Sequence, residues 1–582
     1  MKILSSIVLL LIAGLGVQTS FGNQADLYVV QAITDDYILP DTFPVPGEKN
    51  GTISIVACPG EYESASFVVR SRKEPISGLT ATASDLKGEK GVIPASSLNL
   101  TVVKCWYVGG KDDTLYRHVR LLTPELLVKD DGLVKVDTEK KHNYLKLTFQ
   151  KDTPNPEEKY ICISEEKEWE NLPEVLPMPV EEFPVYDSKT LQPVNIDPEQ
   201  NKQFWITLQV PKTAVPGVYR GKIVLRTSQG TVGELNIRVK VLPFTLSNPY
   251  PISSILYKGE LGPVGCKGVL HTSGPKNEQQ YRAEMEDMVA HGVTNPSIFF
   301  WWYDHFDKEN LRRILEIRNA LGMKDQPLYN FGERLFEVQN KPEKIGELKT
   351  KIKDYIDLCK SQGVTDVYVY GEDEAMGDVL RRQRPIWQAI HEMGGKVFVA
   401  GWLENIKEMG DLQDMQIMNG RPSKEEAAEW HAKNHQITIY ANPQAGVEQP
   451  LRYRRDFGLA LWQNDYDGAM NHAYMISYRD IWNDFDSGCR QENMAYPTAD
   501  GVVDTTEWEG YREGVDDVRY LMTLLDTVKS AKDTKDPKMK DKVAAAEQYV
   551  SDLKTTNLQG RNLDTVRMEI IFHILGLKEG KQ

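Results

Sequence analysis

Asp366-Val367-Tyr368-Val369-Tyr370-Gly371-Glu372-Asp373-Glu374 reads as a buried strand, a glycine that lets the chain turn sharply, and three consecutive carboxylates. On either side of it, strand and helix patterns alternate. Short strands are predicted at Ser253 to Tyr257, Ser297 to Trp302, Leu328 to Phe331, Lys396 to Ala400, Met415 to Met418, Ile437 to Tyr440 and Ala469 to Met475. Between them apolar residues recur at helical spacing: Tyr281, Met285, Met288 and Val289; Leu311, Ile314, Leu315 and Arg318; Ile345, Leu348, Ile352, Tyr355, Ile356 and Cys359; and the stretch Pro385 to Met393. About eight strands alternating with helices over about 250 residues predict an eight-stranded β/α (TIM) barrel. A doubly wound open sheet is the rival. It usually carries a Gly-rich phosphate loop after its first strand, and the chain has neither GxGxxG nor GxxxxGK[ST]. The same absence counts against a nucleotide cofactor, and no cofactor is expected.

Upstream, residues 25 to 245 read as strands separated by Pro, Gly and Asp clusters, among them Ser66 to Arg70, Leu98 to Val103 and Phe204 to Val210. The clearest hairpin joins Val215 to Arg226 to Glu234 to Val241 through Ser228-Gln229-Gly230, and its second strand alternates with period two. A β-sandwich is the economical reading. Pro154 to Pro198 reads as an extended insertion and Pro243 to Pro251 as a linker. Downstream, helices are expected from Thr505-Thr506-Glu507 to Leu525, from Pro537 to Leu553 and from Leu563 to Leu575, forming a cap on the barrel, with Lys529 to Lys542 solvated. The expected organisation is a signal peptide (1–22), a β-sandwich (23–247), a β/α-barrel catalytic domain (248–504) and a C-terminal helical region packed on the barrel (505–582).

The signal peptide is read from Lys2, the apolar run Ile7 to Val17, and small residues at Ser20 and Gly22 before a cut at Asn23. That apolar run is shorter than a membrane-spanning helix needs. A periplasmic or secreted product is therefore expected, with no membrane insertion after the signal is removed. Six scattered cysteines show no CxxC or other metal-ligand spacing, so free thiols are expected rather than a disulfide framework or a metal site. The 582 residues are 41% hydrophobic and 26% charged, and the mean hydropathy is −0.44. This excludes a disordered chain and a polytopic membrane protein. The net charge of −15 gives no footprint for nucleic acid.

The ends of barrel strands open onto an active-site mouth. Three carboxylates there suit acid–base chemistry, because neighbouring carboxylates repel and one of them then holds a proton more readily. Glycosidases usually place two carboxyls about 5–9.5 Å apart on separate elements, which adjacent residues do not readily achieve. An Asp-Glu pair suits substrate assistance instead. In that route the 2-acetamido oxygen of the sugar is the nucleophile, the Asp orients the acetamido group and the Glu protonates the leaving oxygen.

The chain resembles glycoside hydrolase family 123 over nearly all of its mature length. The resemblance runs through Pro59-Gly60-Glu61-Tyr62-Glu63, Leu122-Thr123-Pro124-Glu125-Leu126-Leu127, His291-Gly292-Val293-Thr294, Tyr370 to Glu374, Tyr496-Pro497 and Glu507-Trp508-Glu509-Gly510-Tyr511-Arg512-Glu513-Gly514-Val515-Asp516-Asp517. It implies a sandwich followed by a barrel, and an exo-acting bacterial β-N-acetylgalactosaminidase working with retention through an oxazolinium-type intermediate. Asp373 would orient the acetamido group and Glu374 would be the general acid/base. Ala375 stands where many relatives have Pro.

Trp302, Trp402 and Tyr440 lie at predicted strand ends and are candidates to stack on a sugar, with Asn442 as a hydroxyl-binding residue. The expected partner is a glycan with terminal β-linked GalNAc. Two other readings stay open: a glycosidase with a two-carboxylate mechanism, and a non-catalytic glycan-binding protein that works through the sandwich.

Overall fold

The computed structural model describes residues 24–579 except 111–118, 167–175, 304, 333–334, 336–337, 339–340 and 488–489. The signal-peptide reading and Cys489 lie outside the described residues. No described helix is long and apolar enough to cross a membrane, and Cys58, Cys105, Cys162, Cys266 and Cys359 are free thiols.

The N-terminal part is two facing sheets. One has eight antiparallel strands in the order Glu48–Lys49, Ala25–Val30, Tyr62–Ser71, Asn201–Gln209, Leu98–Val108, Leu121–Val128, Val502–Thr505 and Ala495–Pro497. The other runs Val194–Ile196, Ile76–Ala83, Gly217–Thr227, Gly230–Val241 and Thr52–Ala57. The period-two pattern read from the sequence is the burial pattern found. Leu235, Ile237, Val239 and Val241 are buried, while Glu234, Asn236, Arg238 and Lys240 point outward. Phe67 stacks on Phe204 between adjacent strands, with ring centroids 4.9 Å apart. The expected extended insertion is partly sheet: Glu157–Cys162 pairs with His142–Phe149, and Val194–Ile196 joins the second sheet.

The following region is a parallel sheet of seven strands, in the order Ile252–Ile255, Gly468–Asn471, Gln436–Ala441, Met415–Asn419, Lys396–Ala400, Val367–Tyr370 and Leu328–Asn330. The helices between these strands include Glu278–Ala290, Lys308–Ala320, Ile345–Ser361, Arg384–Glu392 and Lys424–His431. The expected strand at 297–302 is not formed as a strand. Ser297 N–H donates to the Ile255 carbonyl (3.0 Å) and Ile298 N–H to the Tyr329 carbonyl (2.8 Å), so this short segment bonds to both outer strands of the sheet. Beyond it the Asn330 side chain replaces the backbone ladder. Its Oδ1 accepts from Phe300 N–H (3.2 Å) and its Nδ2 donates to the Phe300 carbonyl (3.0 Å). The expected eighth strand stops at Asn471, and Met475–Ile476 pairs instead with Glu492–Asn493.

Three C-terminal helices, Thr506–Ala531, Pro537–Leu553 and Leu563–Lys578, follow the sequence reading closely, the first running six residues further than its expected end at Leu525. Thr505 caps the first helix by accepting from Trp508 N–H. The Glu507-to-Asp517 string is buried and held by ion pairs. Arg454 meets Asp517 at 2.8 Å, and Arg567 meets Glu63, Glu513 and Asp517 at 2.5, 2.7 and 2.6 Å. Arg567, on the helix Leu563–Lys578, joins Glu63 of the sandwich to Asp517, which in turn holds Arg454 of the helix Pro450–Asp456 in the parallel-sheet region.

Candidate active site

The three carboxylates stand at the C-terminal end of the Val367–Tyr370 strand, on a loop set by packing. Gly371 is needed there for close approach. A Cβ would lie 2.8 Å from the Trp387 ring and 3.1 Å from Val399. The sharp turn itself falls three residues later, on Glu374, whose φ is 50°. A side chain in this left-handed region is uncommon and costly, and it persists where its surroundings hold it. Here Glu374 N–H donates to the Ala400 carbonyl at 3.0 Å, tying the loop to the neighbouring strand end. Glu372 N–H donates to Gln383 Oε1 at 2.7 Å on the other side.

Each of the two paired acids is held by a tyrosine. Tyr370 hydroxyl donates to Asp373 Oδ1 at 2.6 Å and accepts from Ala400 N–H at 3.2 Å. Tyr440 hydroxyl donates to Glu374 Oε1. Burial pushes the Tyr440 phenol well up, and the Glu374 carboxylate adds to that, so the hydroxyl stays protonated as a donor. Asn419 also hydrogen-bonds this phenol. Asp373 and Glu374 themselves are exposed at the mouth. Behind Tyr440 lies His472, with ring centroids 6.4 Å apart. His472 Nδ1 is 2.7 Å from Glu492 Oε2, and Gln444 Nε2 donates to Glu492 Oε1 at 3.4 Å.

The aromatic candidates divide. Tyr440 joins the carboxylates directly. Trp402 is 39% exposed, two residues past the Lys396–Ala400 strand. Asn442 is nearly buried in the loop after Tyr440. Trp302 is corrected: it is fully buried and stacks on Tyr355 at 5.6 Å, a core position that no sugar reaches. Its neighbour Trp301 is the exposed ring of the pair (37%), its Nε1 donating to Glu260 Oε1 at 3.2 Å. Residues that sequence reasoning missed are Asn419, His472, Glu492 and Gln383. Asn419 and His472 both sit at strand ends, which was a usable signal. Glu492 and Gln383 arrive from distant loops and gave none.

One group of possible metal ligands occurs among the described residues: Asp287, His291 and Asp504, whose ligand atoms lie within 4.8 Å of one another. Burial alone would lower the His291 pKa, but the Asp287 carboxylate and a contact to Glu509 raise it to about 10. In this arrangement the imidazole pairs as a cation with Asp287. The cluster lies on the Glu278–Ala290 helix end and the Val502–Thr505 strand.

No family model matches the chain, and no curated protein matches it. Among solved structures, a family 123 glycoside hydrolase from Clostridium perfringens, described in a study of glycolipid glycan hydrolysis, superposes over 96% of this chain and 97% of its own, with a TM-score of 0.59 at 12% identity. That likeness shows a shared fold across both regions. A Bacteroides ovatus family 5 xyloglucanase (TM-score 0.27, 7% identity, 84% and 100% covered) and a Ruminococcus gnavus β-glucuronidase (0.31, 8%, 86% and 98%) superpose too loosely to indicate one.

Proposed function

We propose that the protein is a glycoside hydrolase of the family 123 kind, removing terminal β-linked N-acetylgalactosamine from glycans with retention. The observation that carries this reading is the adjacent Asp373–Glu374 pair, each acid held by its own tyrosine at a strand end, in a fold shared with a family 123 enzyme. In this reading Ser297 and Ile298 stand for the second strand of an eight-stranded barrel, residues 23–247 form the sandwich, 248–504 the catalytic unit and 505–582 the cap. The leader 1–22 directs export to the periplasm or beyond.

The chemistry follows from the order of the acids. The acetamido oxygen attacks C1 as the glycosidic C–O bond breaks, and Glu374 gives its proton to the leaving oxygen. Asp373, steadied by Tyr370, accepts the acetamido N–H and balances the positive charge of the oxazolinium ring. Glu374, now a carboxylate, takes a proton from the water that opens the ring at C1, and the second inversion restores the starting configuration.

Glu374→Gln is expected to lower kcat/KM by about 10²–10⁴-fold on a β-GalNAc glycoside with a poor leaving group. Asp373→Asn is expected to weaken binding of a thiazoline mimic of the intermediate. Near-wild-type turnover by the first variant, or unchanged inhibition of the second, would overturn the assignment. Parallel assays on aryl β-GalNAc, β-GlcNAc and β-Gal glycosides test the sugar. Turnover of the last, which has no acetamido group, would instead select a two-carboxylate mechanism.

A further inference from the structure

A cavity of about 480 Å³ is lined by Arg421, Asn442, Arg452, Arg455, Asp456 and a set of side-chain amides that includes Asn464 and Gln559. Two of its lining residues follow strand ends on the side of the sheet that carries the carboxylate loop. Asn442 is two residues past Tyr440, the partner of Glu374, and Arg421 is two residues past the end of the Met415–Asn419 strand. It continues along the helix Pro450–Asp456, where Arg452 and Arg455 share one face and Arg454 turns inward to Asp517.

The charge there is opposite to that of the molecule. The chain carries a net −15, yet three guanidinium groups line this cavity against a single carboxylate. Arg455 holds Asp456 through two bonds of 2.6 and 3.0 Å, and Arg452 reaches the same carboxylate at 3.6 Å. Asp35, which accepts from Leu451 N–H at 2.9 Å, offsets these arginines from outside the lining. Arg421 is exposed and has no ion pair or hydrogen bond among the described residues. Asn464 Nδ2 donates to the Ala460 carbonyl at 2.8 Å and leaves its oxygen to the cavity, and an unpaired guanidinium beside such amides matches a sugar chain that carries an oxyanion. The amides bond hydroxyls, and the planar guanidinium fork bonds a carboxylate or sulfate in two places.

We propose that this cavity is a binding site for the leaving part of the glycan, selecting chains in which a sugar beyond the cleaved one bears a carboxylate or a sulfate. The proposal rests on the glycosidase reading above, and its test separates the two. Four substrates are compared with wild-type, Arg421→Ala and Arg421→Glu protein. They are an aryl β-GalNAc glycoside, a neutral trisaccharide ending in β-GalNAc–galactose, the same trisaccharide with glucuronate as its second sugar, and the same with a sulfated galactose. The aryl glycoside carries no second sugar and reports the glycosidase reading alone, so its turnover is expected to be unchanged by either substitution.

For the anionic chains, Arg421→Ala is expected to raise KM about fivefold, the size of a partly exposed ion pair, with kcat held. Arg421→Glu is expected to raise it further, and the difference is expected to fade in high salt. Equal KM changes on neutral and anionic chains, or none on either, would overturn the proposal while leaving the glycosidase reading intact. Loss confined to the glucuronate or to the sulfated chain identifies which oxyanion the site takes. If no substrate turns over, calorimetric titration with the glucuronate trisaccharide still decides: binding by the wild type that Arg421→Glu abolishes supports the site, and absent or unchanged binding refutes it.

Discussion

Tyr440→Phe isolates the hydrogen bond that defines Glu374. The ring stays, so its packing near His472 is kept, and only the hydroxyl is lost. A hydrogen bond to a charged group contributes about 1.5–3 kcal/mol. Glu374 is exposed, which lowers that to about 1–2 kcal/mol, or about 5- to 30-fold in kcat/KM at 1.4 kcal/mol per tenfold. The loss should depend on the leaving group. In the proposed mechanism a glycan alkoxide needs the proton from Glu374 and should show the full effect, whereas a dinitrophenolate leaves without it and should show little. The assay is kcat/KM for both substrate types, with a melting curve to confirm that the fold is retained. Equal losses on both would mean that Tyr440 positions sugar and does not serve the acid. A change under twofold on both would remove the hydrogen bond from the mechanism altogether.

Stability offers two further tests. Arg567→Met strands two buried carboxylates, Glu63 and Glu513, and takes one of the two arginine partners of Asp517, and removal of one partner from such a network costs about 3–5 kcal/mol. For 582 residues melting as one unit at about 2.1 cal/mol/K each, that is a fall of about 3 °C in Tm, and an unchanged Tm would refute it. His291 has its pKa raised to about 10, so its ion pair with Asp287 contributes fully below about 6.5, its ordinary value, and is lost as pH rises through about 10. The stability gap between wild type and His291→Gln should therefore narrow between pH 6.5 and 10, with Asp504 and Glu509 facing the same ring. A gap independent of pH across that window would count against the charged imidazole.

The parallel strands were legible because they are short apolar runs whose burial is dictated by helices on their outer faces. The Gly230–Val241 strand was legible for the complementary reason, a strict alternation with one wet face. The 297–302 segment was not, because its apolar residues look like strand while the Asn330 side chain takes the place of its backbone partner. The 157–162 strand was hidden by its Glu and Lys content, as its first three residues lie exposed on an edge. Within the site, the acids were read from three consecutive carboxylates after a strand. The choice between Trp301 and Trp302 was not readable, since adjacent residues face opposite ways and nothing local says which way is in. Likewise Glu492 reaches His472 through a long loop, a contact that no spacing announces.

The first sheet is finished by the last part of the chain to leave the ribosome before the cap. Its strands Val502–Thr505 and Ala495–Pro497 extend from Leu121–Val128, with Asp504 and Thr505 paired to Leu127 and Leu126. A newly made N-terminal half therefore emerges with an open edge along Leu121–Val128, able to pair with any extended neighbour. That edge stays bare throughout translation of the parallel-sheet region. The protein cannot be assembled like beads on a string. A truncation at residue 247 would keep the bare edge permanently, so the N-terminal half made alone should self-associate, and completing the chain is what ends its exposure.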